Sequence, residues 1–201
     1  MKIIRLKQNP HIYCGNSYLV LGTWNKISDV NALIDTGTDG YVINEIDHTN
    51  TGVGKSPIDK IFLTHNHFDH AGGVLKIKEK YGAKAYASIL GLGIDYLLKD
   101  GEEIQMGDEY FEVIFSPGHS SDSVCFYCKK ERVLFSGDTA IRVNMQDGTY
   151  TDDYINTIEK LAKLKIDVIY PGHGEAIIDH PEKTLKNTLS VVSKKNNQLI
   201  N

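Results

Sequence analysis

Four side chains able to ligate a metal stand within six residues: His65, His67, Asp69 and His70, in the run Thr64-His65-Asn66-His67-Phe68-Asp69-His70. The run follows the apolar Ile61-Phe62-Leu63 and precedes Ala71-Gly72-Gly73. In an extended chain alternate side chains share a face, so His65, His67 and Asp69 are expected to point one way. His70 breaks the alternation, and that pattern can divide its ligands between two neighbouring ions. Imidazole and carboxylate donors suit zinc first, with iron and manganese as alternatives.

Three further candidates occupy similar settings. His119 lies in Ser116-Pro117-Gly118-His119-Ser120, Asp138 in Ser136-Gly137-Asp138-Thr139, and His173 in Tyr170-Pro171-Gly172-His173-Gly174. Each follows a strand-like run: Tyr110 to Phe115, Arg132 to Phe135, and Ile166 to Ile169. Any one alone would be an ordinary loop or capping residue. Strands ending at one edge of a sheet would bring all four loops together, which is how sheet proteins position reactive groups.

This set, with Ile34-Asp35-Thr36-Gly37 ahead of it, resembles the metallo-β-lactamase fold hydrolases, most of all their glyoxalase II-like thioester and ester hydrolases. Ile166 to Glu175 is also similar to the corresponding stretch of small lactamase-like endoribonucleases. The resemblance implies an α/β (α+β) fold, a four-layer αββα sandwich of two mixed sheets packed face to face with helices outside. It implies two divalent metal ions. His65, His67 and His119 would hold one, Asp69, His70 and His173 the other, and Asp138 would bridge them. A hydroxide shared by the ions would attack a carbonyl carbon, with Asp69 orienting that nucleophile and shuttling its proton. The same resemblance makes Asp35 a carboxylate that orients the metal loop. It also suggests substrate contacts from Arg142, Asn144, Gln146 and Tyr150.

Departures from the family's branches narrow the substrate. The segment Ala140-Ile141-Arg142-Val143-Asn144-Met145 lacks the glycine and arginine pattern of glyoxalase II enzymes, and the sequence ends at Asn201 without their C-terminal helical domain. Antibiotic-degrading lactamases usually carry cysteine where Asp138 stands, and flavodiiron proteins an acidic residue in place of His67. The expected function is therefore hydrolysis of a small ester, thioester or lactone. The alternatives are a mononuclear-iron persulfide dioxygenase and a phosphodiesterase or ribonuclease.

Composition fits a compact enzyme. The chain has 201 residues, 41% of them hydrophobic, enough for one domain with a sizeable core. A net charge of −4 offers no global basic field, so nucleic acid is an unlikely partner and a small molecule the expected one. Met1-Lys2-Ile3-Ile4-Arg5 has no apolar signal-peptide core, and no run approaches the ~20 apolar residues needed to cross a bilayer. A cytoplasmic protein, with a homodimer as an open possibility, is the expectation. Cys125 and Cys128 fall on one strand at a spacing that turns them to opposite faces, which reads as one core and one surface thiol rather than a metal or redox pair.

The elements that must position these residues alternate along the chain. Strands are expected at Lys2 to Leu6, Ile12 to Cys14, Tyr18 to Leu21, Ala32 to Asp35, Lys60 to Thr64 and Lys84 to Ala87. More follow at Glu109 to Phe115, Ser123 to Cys128, Arg132 to Phe135 and Ile166 to Tyr170. Helical periodicity covers Asp39 to Asp47, Gly73 to Tyr81, Ser88 to Leu98, a stretch capped by Asp152 or Asp153 and running to Leu164, and Pro181 to about Lys195. The loops at His48 to Pro57, Ile89 to Gly101 and Arg142 to Tyr150 are expected to shape the pocket.

Overall fold

The computed structural model describes residues 1–24, 26–143 and 150–196. Its first sheet is built from β1 (Lys2–Arg5), β2 (Tyr18–Leu21), β3 (Ala32–Ile34), β4 (Lys60–Phe62), β5 (Lys84–Ala87) and β6 (Tyr96–Leu97), paired in that order. β2 runs antiparallel to both β1 and β3, and β3 to β6 run parallel. The second sheet has the order β11-β10-β9-β8-β7, from β7 (Glu103–Met106), β8 (Glu109–Phe115), β9 (Val124–Cys128), β10 (Val133–Gly137) and β11 (Val168–Pro171). All its pairs are antiparallel except β10 with β11. Because β9 opposes both neighbours, β8, β10 and β11 point the same way. Their C-terminal ends share one edge.

The helices are α1 (Ile43–Asp47), α2 (Phe68–Ala71), α3 (Val74–Tyr81), α4 (Asp152–Leu161) and α5 (Pro181–Asn196). Strand periodicity separates three apolar layers. Val20, Phe62, Phe111, Phe126 and Phe135 fill the space between the sheets. Leu19, Leu33 and Ile61 face outward to Val74 and Ile77 of α3. Cys125, Leu134 and Ile169 meet Ile155, Ile158 and Leu161 of α4 and Leu185 of α5. This is the expected αββα sandwich. Each fully buried Phe contributes about 2–3 kcal/mol of transfer free energy to holding the sheets together.

Several local expectations give way. Ile12 to Cys14 is not a strand, because its neighbours hydrogen-bond to loops instead of a sheet: Gly15 N–H donates to Asp69 O at 2.9 Å, and Thr38 Oγ1 to Tyr13 O at 2.6 Å. Ser88 to Leu98 is not a helix. Gly93 adopts φ +84° and the segment closes as a turn into β6, with Leu98 N–H bonded to Ala87 O. α1 starts only at Ile43, after Gly40 at φ +75°. The cap of α4 is Thr151, whose side chain accepts from Tyr154 N–H, not Asp152 or Asp153. β7, which alternates buried and exposed residues, had no sequence forecast. Cys125 and Cys128 do face opposite layers, but both are buried, so neither is a surface thiol.

Candidate metal centre

Strand direction explains why distant ligands meet. β4 delivers His65 and His67, β8 leads to His119, β10 to Asp138 and β11 to His173. The two sheets are tied at this edge by Val124 N–H donating to Thr64 O at 2.8 Å, and the ligand turns by Gly172 N–H donating to Gly137 O at 2.7 Å. The histidine run itself is not extended throughout. It is extended to His67 (φ −67°, ψ 147°) and then turns into α2, so the helix, not strand alternation, presents Asp69 beside His70. That corrects the expectation that Asp69 would point with His65 and His67.

All seven predicted ligands converge, in two groups. His65, His67 and His119 form the first, with His67 Nδ1 and His119 Nε2 3.0 Å apart. Asp69, His70, Asp138 and His173 form the second. There His173 Nε2 lies 3.1 Å from Asp69 Oδ2, and His70 Nε2 lies 3.5 Å from the same oxygen. Asp138 reaches both groups. Its Oδ1 is 3.3 Å from His70 Nε2, while its Oδ2 is 3.5 Å from His173 Nε2, 3.5 Å from His119 Nε2 and 3.9 Å from His65 Nε2. Donors each about 2.0–2.2 Å from a tetrahedral ion stand about 3.3–3.6 Å apart, so these spacings suit divalent cations. The first group is open to solvent at His67 and His119; Asp69 and His70 are buried.

A further test of fit is polar satisfaction. His65 Nε2 and Asp138 Oδ1 are buried without a hydrogen-bond partner; Oδ1 makes no hydrogen bond even though His70 Nε2 is 3.3 Å away. Folded proteins rarely leave buried polar atoms unpaired. A cation between these donors would satisfy both.

Asp35 sets the orientation of the inner ligands. Its carboxylate accepts from Thr64 N–H (2.8 Å) and Thr64 Oγ1 (2.8 Å), and lies 2.7 Å from His70 Nδ1. With its proton given to Asp35, the Thr64 hydroxyl can only accept from His65 Nδ1, 3.1 Å away. One carboxylate therefore fixes both rings as Nδ1–H tautomers and turns both Nε2 atoms to the centre. Thr64 is thus more than a turn former. Ser120 and Thr139, by contrast, bond to Ser123 and Ser116 rather than to ligands. Asp122 also escaped sequence reasoning: it accepts from Asn66 N–H at 2.8 Å and steadies the loop between His65 and His67. Nothing in its spacing marks it.

Charge states follow from these contacts. Burial pushes the His65 imidazole down to about 4, against the pull of Asp35 and Asp138, leaving a neutral ligand at pH 7. Burial also opposes charge on His70, but Asp35 and Asp138 outweigh it and raise it to about 10. Asp138 is held down at about 2 because His70, His173 and His65 overcome its own burial. The metal-stripped protein should then show His70 doubly protonated up to about pH 10 and His65 neutral down to about pH 4 in histidine side-chain NMR spectra. Because an ion at His70 Nε2 must displace that proton, its affinity should rise with pH from 7 towards 10.

Backbone closeness matters at Gly172, where a Cβ would lie 2.1 Å from Asp138 Oδ1 and 2.8 Å from His70 Cε1. Gly172→Ala should displace the Asp138 carboxylate. We expect a folded protein that retains less than half of the wild-type metal, measured by elemental mass spectrometry.

A cavity of about 370 Å³ adjoins the centre, lined in part by His119, Asp138, Ile141, Arg142, His173 and Glu175. Arg142 is thus well placed, whereas Tyr150 packs 5.7 Å from Tyr154, and Asn144 and Gln146 lie outside the described residues. The loop from His48 to Pro57 does not shape the pocket. Asn31 Nδ2 donates to Thr51 O and Ser56 O, pinning that loop near the start of β3, at the end away from Asp35. His11, His48 and His180 join neither ligand group. No helix among the described residues is long and apolar enough to cross a membrane.

The chain is 32% identical over 168 residues to a probable hydroxyacylglutathione hydrolase, glo2, of Schizosaccharomyces pombe, covering 79% of this chain and 64% of that protein. It is 26% identical over 190 residues to an atrochrysone carboxyl ACP thioesterase of Aspergillus fumigatus, covering 92% and 59%. The chain thus spans less than two thirds of the length of these relatives. A metallo-beta-lactamase family protein of Thermus thermophilus, TTHA1429, shares the fold with a TM-score of 0.71 at 21% identity, covering 98% of this chain and 81% of that one. The family model for the metallo-beta-lactamase superfamily matches residues 15–93 and 89–173, and this chain belongs to that superfamily.

Proposed function

We propose that this chain is a metal-dependent hydrolase with a binuclear centre, acting on a small ester, thioester or lactone. The observation that carries this reading is the sharing of Asp138 between two donor groups whose buried His65 Nε2 and Asp138 Oδ1 lack other partners. His65, His67 and His119 would hold one ion, Asp69, His70 and His173 the other, and Asp138 both. Divalent ions held there supply Lewis acidity and a nucleophile at neutral pH, zinc being the first choice for an imidazole and carboxylate set.

The chain's own groups supply the rest. Asp35 and Thr64 keep His65 and His70 in the tautomers that expose Nε2. Asp69 Oδ2, buried beside His173 Nε2, is placed to orient a water and take its proton. The cavity beside Asp138 and Arg142 offers room for the acyl or leaving group. The reading extends to residues 1–201 as one catalytic domain in the cytoplasm, either alone or as a homodimer.

The test is metal content of protein purified without chelator, by elemental mass spectrometry, followed by a screen of thioesters, lactones and phosphodiesters. About two zinc ions per chain and turnover of a thioester or lactone support the reading. About one iron with oxygen uptake in the presence of persulfides, or phosphodiester cleavage alone, overturns it.

A further inference from the structure

The segment before β2 runs as a strap beside the metal centre. Tyr13 lies with its ring stacked on His173, the centroids 5.1 Å apart and the planes at 23°. Its hydroxyl is 3.2 Å from His173 Nε2. That nitrogen also faces Asp69 Oδ2 at 3.1 Å and Asp138 Oδ2 at 3.5 Å, so the phenol reaches the donor cluster itself. The strap is tied at Tyr13 and at the residues that follow it. Thr38 Oγ1 donates to Tyr13 O, Gly15 N–H to Asp69 O at 2.9 Å, and Asn16 N–H to Gly172 O at 2.6 Å. Asn16 Nδ2 adds bonds to Pro171 O and Gly174 O, both at 2.9 Å, which flank His173.

Packing does not account for this placement, because Tyr13 is 66% exposed and fills no core. Among the described residues, the hydroxyl's hydrogen-bond partner is the His173 nitrogen. When that lone pair is committed to a ligated cation, the phenol hydrogen is left facing the space where a substrate oxygen must come. We propose that Tyr13 contacts substrate directly, its hydroxyl donating a hydrogen bond to the substrate oxygen that lies against the Asp69, His70 and His173 cluster. The inference deepens the hydrolase reading and rests on it. The same donor serves a carbonyl oxygen in the ground state and, more strongly, the oxyanion that follows attack.

The experiment compares zinc-loaded wild type and Tyr13→Phe, which keeps the stacked ring and removes only the hydroxyl. The probe is inorganic phosphate, a tetrahedral oxyanion, titrated by calorimetry. We expect phosphate to bind about tenfold more weakly to the variant, with zinc content and melting temperature unchanged. With a hydrolysed substrate in hand, kcat should fall about tenfold while KM stays within about twofold. Equal phosphate affinities would overturn the assignment, as would failure of the wild type to bind phosphate. Loss of zinc by Tyr13→Phe would also overturn it, making the hydroxyl a support for the ligand set. The phosphate titration needs no substrate, so failure to turn over any ester or thioester would sink the hydrolase reading separately.

Discussion

Replacing Asp138 with alanine is expected to lower turnover by about a thousandfold or more and to cut bound metal by at least half. The carboxylate lies within 3.9 Å of a ring nitrogen of each of His65, His70, His119 and His173. Without it the five imidazoles of the two groups converge on a space with one remaining carboxylate of those groups, Asp69. Two neighbouring cations then repel one another with too little negative charge between them. The fold should survive, because Asp138 lies in the turn after β10 and its Oδ1 has no hydrogen bond to lose. Metal content, kcat/KM and the melting curve decide the matter. An Asp138→Ala protein with full metal and full turnover would remove Asp138 from the site. Asp138→Asn, equal in shape but uncharged, should behave almost as badly if charge is what matters.

Asp35→Ala should be the most destabilising of the changes around the centre, by about 3–5 kcal/mol in metal-stripped protein. The side chain is buried and is contacted by Thr64 N–H, Thr64 Oγ1 and the His70 ring. Its loss strands these donors and removes one of the two carboxylates that hold the proton on His70. Burial is then opposed mainly by Asp138, so the His70 pKa should fall below its value of about 10. The backbone adds to the cost, since Asp35 has φ +55°, a conformation Ala adopts less readily than Asp or Asn. Asp35→Asn separates the two effects. It keeps the turn but places an amide N–H₂ or a neutral oxygen against His70 Nδ1, so the tautomer is no longer held. Zinc affinity should fall about 10–100-fold in Asp35→Asn with a smaller loss of stability, read by metal titration and urea unfolding. Equal metal affinity in the two proteins would show that Asp35 serves only the turn.

The candidate donor residues were legible because each is a chemically distinctive side chain placed just past an apolar run. His65, His67, Asp69, His70, His119, Asp138 and His173 all reach the centre. Short apolar runs bounded by turn residues marked most of the strands, of which β2, β3, β9 and β10 are buried at every position, and a 3.6-residue apolar period marked α3 and α4. The failures share a cause. Ser88 to Leu98 has helix-forming spacing, yet Gly91 packs beside Asn66 and Gly93 against Val74 and Leu75, contacts from other parts of the chain. Ile12 to Cys14 is strand-like in composition, but it hydrogen-bonds to the Gln8 side chain and to Thr38, in the turn after β3, instead of to a neighbouring strand.

By itself, then, the amino-acid sequence determined the donor types and, through the resemblance those motifs carry, the family and its layered αββα plan. The donor types depend only on which atoms a side chain carries, and the plan on the match of the motifs to the family. Only the tertiary structure decided that α2 turns Asp69 towards His70, that Asp35 and Thr64 hold two tautomers, and that Asp138 reaches both groups. It alone brought Tyr13 onto His173, 160 residues away. These are distances and directions between loops remote in sequence, and they exist only once parallel strands have brought their C-terminal ends to one edge.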